Sequence, residues 1–90
     1  MTKIDFNPTK EAANLVKHQI SLARAEDFEI LAVEPDTRFD YGEERFRAWG
    51  RIDGEFYCLV FTTRENRVRA ISLRLAHEKE IRRHVKQSDL

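Results

Sequence analysis

Between Arg45 and Ala76 the chain alternates apolar and polar positions around a centre, Phe56-Tyr57-Cys58-Leu59-Val60-Phe61-Thr62-Thr63, that is apolar on both parities. A run so rich in aromatic and β-branched residues, with no polar side, predicts a central strand covered on both faces. Before it, Phe46, Ala48, Gly50 and Ile52 share one parity, and Arg45, Arg47, Trp49 and Arg51 share the other. After it, Arg67 to Leu75 places Ile71, Leu73 and Leu75 on one parity and Ala70, Ser72 and Arg74 on the opposite one. Asp53-Gly54 predicts a two-residue type I′ hairpin, because both of its positions require positive φ and this pair tolerates it. Arg64-Glu65-Asn66 predicts the next turn. The expected product is an antiparallel meander whose edges carry arginines.

The first half reads as helical. Lys3 to Phe6 alternates briefly and predicts an edge strand, after which Asn7 is placed to cap a helix and Pro8 to occupy its first position. That helix spans Pro8 to about His18, with Ala12, Ala13 and Val16 as its apolar stripe and Lys10, Asn14 and Lys17 on another face, by default a solvated one. Ser21 predicts the cap of a second helix, Leu22 to about Leu31, with Leu22, Ala25, Phe28 and Leu31 inward, and Pro35 ends it. Thr37 to Asp40 reads as a short strand before a turn at Tyr41-Gly42. A last helix runs from His77 to about Lys86, with Ile81 and Val85 inward and Glu78 and Glu80 each four residues before a basic partner. The fold class is α+β, in the order β-α-α-β-β-β-β-α, with helices gathered on one face of an antiparallel sheet.

Composition narrows this picture. Ninety residues at 41% hydrophobic support one core, so residues 1–90 form a single domain. No run approaches the ~18 apolar residues of a membrane span, and Met1-Thr2-Lys3-Ile4-Asp5 lacks a signal-peptide core, so a cytoplasmic location is expected. The single cysteine, Cys58, sits among apolar neighbours and reads as buried packing. The formal net charge of zero conceals an asymmetry: residues 1–44 hold 5 Lys/Arg against 10 Asp/Glu, and residues 45–90 hold 11 against 6. A basic C-terminal half suits a polyanion such as RNA, an acidic N-terminal half suits a basic partner, and the two halves equally suit neutralising each other.

Phosphate-loop, zinc-spaced cysteine and His-x-x-x-His motifs are absent, and no cofactor or metal is expected. What remains is a set of arginines and isolated histidines. Arg45, Arg47 and Arg51, with Ser72 and Arg74 on the last strand, point to an open face if helices cover the apolar one. Guanidinium forks there can take a phosphate bidentately. The residues alone support an anion-binding or partner-binding surface.

The segments Phe6-Asn7-Pro8-x-Lys10-x-Ala12-Ala13-Asn14-Leu15-x-Lys17-His18, Gly42-Glu43-Glu44-Arg45-Phe46 with Gly50, and Arg69-x-Ile71-Ser72-x-Arg74-x-Ala76 with Glu80 resemble the BrnT family of type II toxins. The resemblance spans nearly the whole chain. It implies a RelE-like fold, a growth-arresting ribonuclease, and a BrnA-type antitoxin partner that neutralises the toxin and supplies the DNA-binding part. The implied reaction is metal-independent cleavage of an RNA substrate by its own 2′-hydroxyl. Arg45 and Arg74 are then phosphate clamps, Arg69 and Lys17 supporting cations, and Arg47, Arg51 and Ser72 further RNA contacts. His18 is an acid or base, or else a helix cap or packed ring. Lys10 and Asn14 hold the helix to the sheet or face solvent, and Glu80 orients an arginine or lies on the helix surface. The chain departs from the family pattern at Asn7, at Gln19 in place of glycine, at Leu73 in place of a small residue, and at His84 in place of a tyrosine. The alternative is a non-catalytic binding module whose arginine face grips an acidic protein.

Overall fold

The computed structural model describes residues 4–90. Strand β1 (Ile4–Phe6) leads into helix α1 (Pro8–His18), a 3₁₀ turn (Leu22–Asp27) and strand β2 (Glu29–Pro35). Strands β3 (Phe46–Ile52), β4 (Glu55–Arg64) and β5 (Arg67–Leu75) follow, then helix α2 (Glu78–His84) and a final 3₁₀ turn (Gln87–Asp89). The expected first strand also included Lys3, which lies outside the described residues.

Both hairpins of the meander are closed by pairs of left-handed residues, Asp53 and Gly54 at φ 51° and 80°, and Glu65 and Asn66 at 50° and 66°. This twist matches that of the flanking strands, so β3 pairs with β4 and β4 with β5, both antiparallel. β1 adds to β5 in parallel, which makes the five-stranded sheet mixed, in the order β1-β5-β4-β3-β2. The α+β class holds. The antiparallel meander is its centre rather than its whole.

The remaining strand is β2, in place of the Thr37–Asp40 segment expected from sequence. The second helix stops at Asp27 because Leu22 and Ala25, both buried, repeat at three residues, a spacing that one tight 3₁₀ turn satisfies. Beyond it, Ile30 to Val33 is extended and pairs with β3. Gly50 permits the pairing. A Cβ there would overlap the Glu29 carbonyl oxygen and the Phe28 ring.

Helix α1 turns a polar side to the protein. Ala12 and Ala13 are exposed and Val16 is 85% exposed, whereas Asn14 is only 5% exposed. The reason lies in β5, whose outer edge is paired with β1 only as far as Ala70. Further along, the Leu73 backbone needs a partner, and Asn14 supplies both halves: Nδ2 donates to Leu73 O (2.9 Å) and Oδ1 accepts from Leu73 N–H (3.1 Å). Nδ2 also donates to Ile20 O at 2.9 Å. Glu11, one turn earlier, accepts from Ser21 Oγ and from the Leu22 N–H at 2.9 Å, tying down the 3₁₀ turn. The helix ends at Gln19, which takes the left-handed conformation (φ 58°) and donates its N–H to Leu15 O.

A β-bulge alters the expected faces of β5. Val60 pairs with Ser72 but Phe61 pairs with Ala70, so Ile71 is the extra residue. Ala70 and Leu73 therefore enter the main core, beside Leu22, Ala25, Ala48, Ile52 and Leu59. Ile71 instead stands with Ser72 and Arg74, and Leu75 is 57% exposed.

The helices do not share one face. α1 and the 3₁₀ turn cover the Leu59 and Leu73 side, while α2 covers the other, where Ile81 and Val85 pack on Trp49 and Cys58. The arginine face is thus partly roofed rather than open. His84 lies on Trp49 with ring centroids 4.4 Å apart and planes 6° from parallel. No helix among the described residues is long and apolar enough to cross a membrane.

Two substitutions in α1 are expected to move stability in opposite directions. Asn14→Ala leaves a buried N–H and C=O of Leu73 unpartnered and should cost about 3 kcal/mol or more. Gln19→Gly removes the strain of a left-handed non-glycine residue, offset by glycine's greater unfolded-state freedom, for a net gain of about 0.5–1 kcal/mol. Urea titrations of the variants beside the parent would detect both. A neutral Asn14→Ala would show that the amide does not hold α1 to the sheet.

Candidate functional site

The C-terminal end of α1 overhangs the arginine face at the point where Asn14 fixes the helix to β5. His18, four residues after Asn14, lies on the same side of the helix. Here Lys17 and His18 meet Arg45 at the entrance to β3, Arg47 on β3, Val60 and Cys58 on β4, and Ile71, Ser72 and Arg74 on β5, around a cleft of about 270 Å³. Three further residues, Asp36, Arg38 and Tyr41, reach it from the loop between β2 and β3. Six expected residues thus share one cleft: Lys17, His18, Arg45, Arg47, Ser72 and Arg74. Two do not line it. Arg51 lies further along β3 beside Glu29, with its guanidinium 5.8 Å from the centre of the Phe56 ring. Arg69 lines a separate groove with Asp5, Arg64 and Arg67; it lies five residues before Arg74, about 16 Å of strand.

Each cleft arginine is held by its own carboxylate. Arg45 Nε donates to Glu43 (3.0 Å), Arg47 Nη2 to Glu34 (2.8 Å), and both Nη atoms of Arg74 to Glu80 (2.9 and 2.8 Å). Arg38 uses Nε and Nη2 on Asp36, both at 2.8 Å. The pairs leave different donors for a ligand. Arg74, which also donates Nη1 to Leu75 O, retains Nε–H and one Nη2 hydrogen, whereas Arg45 keeps both Nη groups, with its guanidinium carbon 4.2 Å from the centre of the Tyr41 ring. Behind the arginines lies the fully buried Trp49, whose ring has the guanidinium carbons of Arg47 and Arg74 at 5.6 and 5.9 Å.

These contacts set the protonation states. Hydrogen bonds from Arg74 hold the Glu80 carboxyl down to about 2, aided by the His77 N–H and opposed by burial. Arg38 likewise holds Asp36, whose side chain is fully buried, far below the usual carboxylate range. His18 is lowered, first by burial and then by the charges of Lys17 and Arg74. The imidazole is therefore neutral at neutral pH. Burial raises the Cys58 thiol to about 11, so it stays protonated, a packing group under the cleft. Lys17 forms no ion pair among the described residues, and its ammonium is available to an anion. The cleft combines fixed guanidinium donors, an exposed ammonium and a neutral imidazole, a set able to bind a phosphodiester and to remove a proton beside it.

Residues 6–80 match the family model described as "Ribonuclease toxin, BrnT, of type II toxin-antitoxin system". Among solved structures, that of the Brucella abortus ribonuclease toxin BrnT aligns with a TM-score of 0.65 and 22% identity, covering 87% of this chain and 100% of that one. At that identity the likeness is one of fold. None of the curated proteins compared with the chain matches it. The family match extends over every residue that lines the cleft, from Lys17 to Arg74, and the chain belongs to the BrnT family of type II toxin-antitoxin ribonuclease toxins.

Proposed function

We propose that the chain is an endoribonuclease that cleaves RNA at this cleft, with His18 as general base. The observation that carries the reading is the convergence of Lys17, Arg45, Arg47 and Arg74 around a histidine whose pKa is depressed by burial and by the charges of Lys17 and Arg74. His18 takes the proton of a 2′-hydroxyl, and the oxygen attacks the adjacent phosphorus. The phosphorus–5′-oxygen bond breaks, and the 5′-oxygen takes a proton from water, leaving a 2′,3′-cyclic phosphate. The free Nη groups of Arg45 and the ammonium of Lys17 hold the charge that builds on the phosphoryl oxygens, the role for which preorganised donors are most effective. Arg74 contributes Nε and, through its charge, keeps His18 deprotonated. The protein supplies the cations, and the reaction proceeds without a metal ion.

Family membership supports a second component, an antitoxin protein of the BrnA type that binds over the cationic cleft and blocks it. Enzyme and antitoxin act in the cytoplasm, where the RNA is.

Incubation of purified protein with single-stranded RNA, with and without chelator, tests the reading. Cleavage should survive chelation, and Arg45→Ala should lower it about 100-fold or more, the usual cost of removing a donor to the transition state. Cleavage no faster than that of Arg45→Ala would leave a binding module, a reading that the closed Arg74–Glu80 pair independently suits.

The depressed pKa of His18 fixes the sign of the pH dependence. A base works deprotonated, so kcat/KM should rise with pH through the His18 pKa, with the midpoint of the rise below the ordinary 6.5 and the plateau on its alkaline side. Lys17→Ala removes a charge that lowers that pKa, so the acidic limb should move to higher pH. A pH–rate profile of the two proteins would read this. An unmoved limb would take the proton transfer away from His18.

A further inference from the structure

The loop between β2 and β3 presents Phe39 with 70% of its surface exposed. The loop is braced from beneath. The buried Asp36 carboxylate accepts from the Arg38 guanidinium, the Arg38 N–H (3.3 Å) and Tyr41 Oη (3.1 Å), and the Asp36 N–H donates to Arg45 O at 2.7 Å. Gly42, at φ 70°, donates its N–H to Asp40 Oδ1 at 3.0 Å and closes the bend. Phe39 stands edge-on to Tyr41, with centroids 5.9 Å apart and planes at 72°, and Arg45 lies over Tyr41. An aromatic sequence thus leads outward from the phosphate-binding fork of Arg45 to Phe39.

Beside Phe39 lies an outer groove of about 450 Å³ formed by residues 35–45, and it shares Asp36, Arg38, Tyr41 and Arg45 with the cleft. The groove carries the carboxylates of Asp40, Glu43 and Glu44, which repel a phosphate, whereas an uncharged ring meets no such opposition. Its one large exposed hydrophobic side chain is Phe39, linked to the Arg45 guanidinium through the Tyr41 ring.

We infer that Phe39, braced by Tyr41, is a stacking platform for the unpaired nucleobase adjoining the phosphodiester held at Arg45. The inference rests on the proposed RNA cleavage and adds a subsite to it. Stacking on an aromatic face tolerates any base, so the subsite selects single-stranded over paired RNA rather than one sequence. The Asp36 network makes the platform rigid in advance, and little ordering is left for the RNA to impose.

The test uses a fluorescent single-stranded RNA decamer for cleavage and its 2′-O-methyl counterpart, which lacks the nucleophile, for binding by anisotropy. Phe39→Ala should weaken binding and raise KM about tenfold, within the range for loss of one base–aromatic stack, with a far smaller effect on kcat. Phe39→Trp should restore both. Replacing successive nucleotides by abasic ones should reveal one position at which the parent and Phe39→Ala no longer differ. Unchanged binding and KM in Phe39→Ala, with the parent still cleaving, would overturn the subsite and leave the ribonuclease reading intact. Weakened antitoxin binding with unchanged RNA binding would assign Phe39 to the protein partner and equally overturn it. A parent that neither cleaves nor binds RNA would remove the ribonuclease reading, and the subsite with it.

Discussion

The pairing of one asparagine side chain with the backbone of one strand residue holds helix α1 to the sheet. β5 outruns β1, and the backbone beyond Ala70 would otherwise face the protein without a partner. By offering both an acceptor and a donor to Leu73, Asn14 imitates the strand residue that is missing, at a site buried enough for the bonds to matter. The same contact sets the height and rotation of α1 against the sheet. Because Asn14 and His18 are one helical turn apart, seating the first delivers the second to the cleft. A polar core contact and a site geometry are here one constraint.

The sheet divides its labour by face. One side is apolar and continuous under α1 and the 3₁₀ turn, and supplies the bulk of the buried surface. The other begins as a small core under α2 and becomes the cleft, so that Cys58 serves both as packing beside Trp49 and as cleft lining. The arginines there are already paired with carboxylates, and their directions are settled before any ligand arrives. Such preorganisation lowers what must be rearranged during reaction. It also means that an incoming phosphate shares or displaces a carboxylate instead of bulk counterions, which flattens the salt dependence of binding relative to a surface of free arginines.

The parts of the fold legible in the sequence were those with local causes. The Asp53-Gly54 turn needs positive φ and its residues say so, the helix-capping Asn7-Pro8 is a rule of adjacent positions, and the face shared by Arg45 and Arg47 follows from simple alternation. What escaped had non-local causes. Val16 and Asn14 exchanged their expected roles because an unpaired edge 59 residues away demanded a hydrogen-bonding side chain. Ile71 left the core because a bulge shifts parity, and nothing in Arg67 to Leu75 marks where that shift falls. Asp36, Arg38 and Tyr41 were hidden by a segment read as a strand that in fact folds back over the cleft. The Asp-x-Arg spacing after Pro35 was the available signal, but a buried ion pair and an exposed one look alike in sequence.

The stack of His84 on Trp49 gives the molecule an internal optical marker. Trp49 is the chain's single tryptophan, fully buried beneath α2 and bordered by two cleft arginines, while the larger core on the other face contains none. Its emission therefore responds to the docking of the C-terminal helix and to charge entering or leaving the cleft, while the indole lies in a cluster separate from the core under α1. Departure of α2 would bring the indole into water and shift its emission to the red even while the rest of the sheet stays folded. The two faces of one small domain can thus be followed separately, one by fluorescence and the whole by its backbone signal.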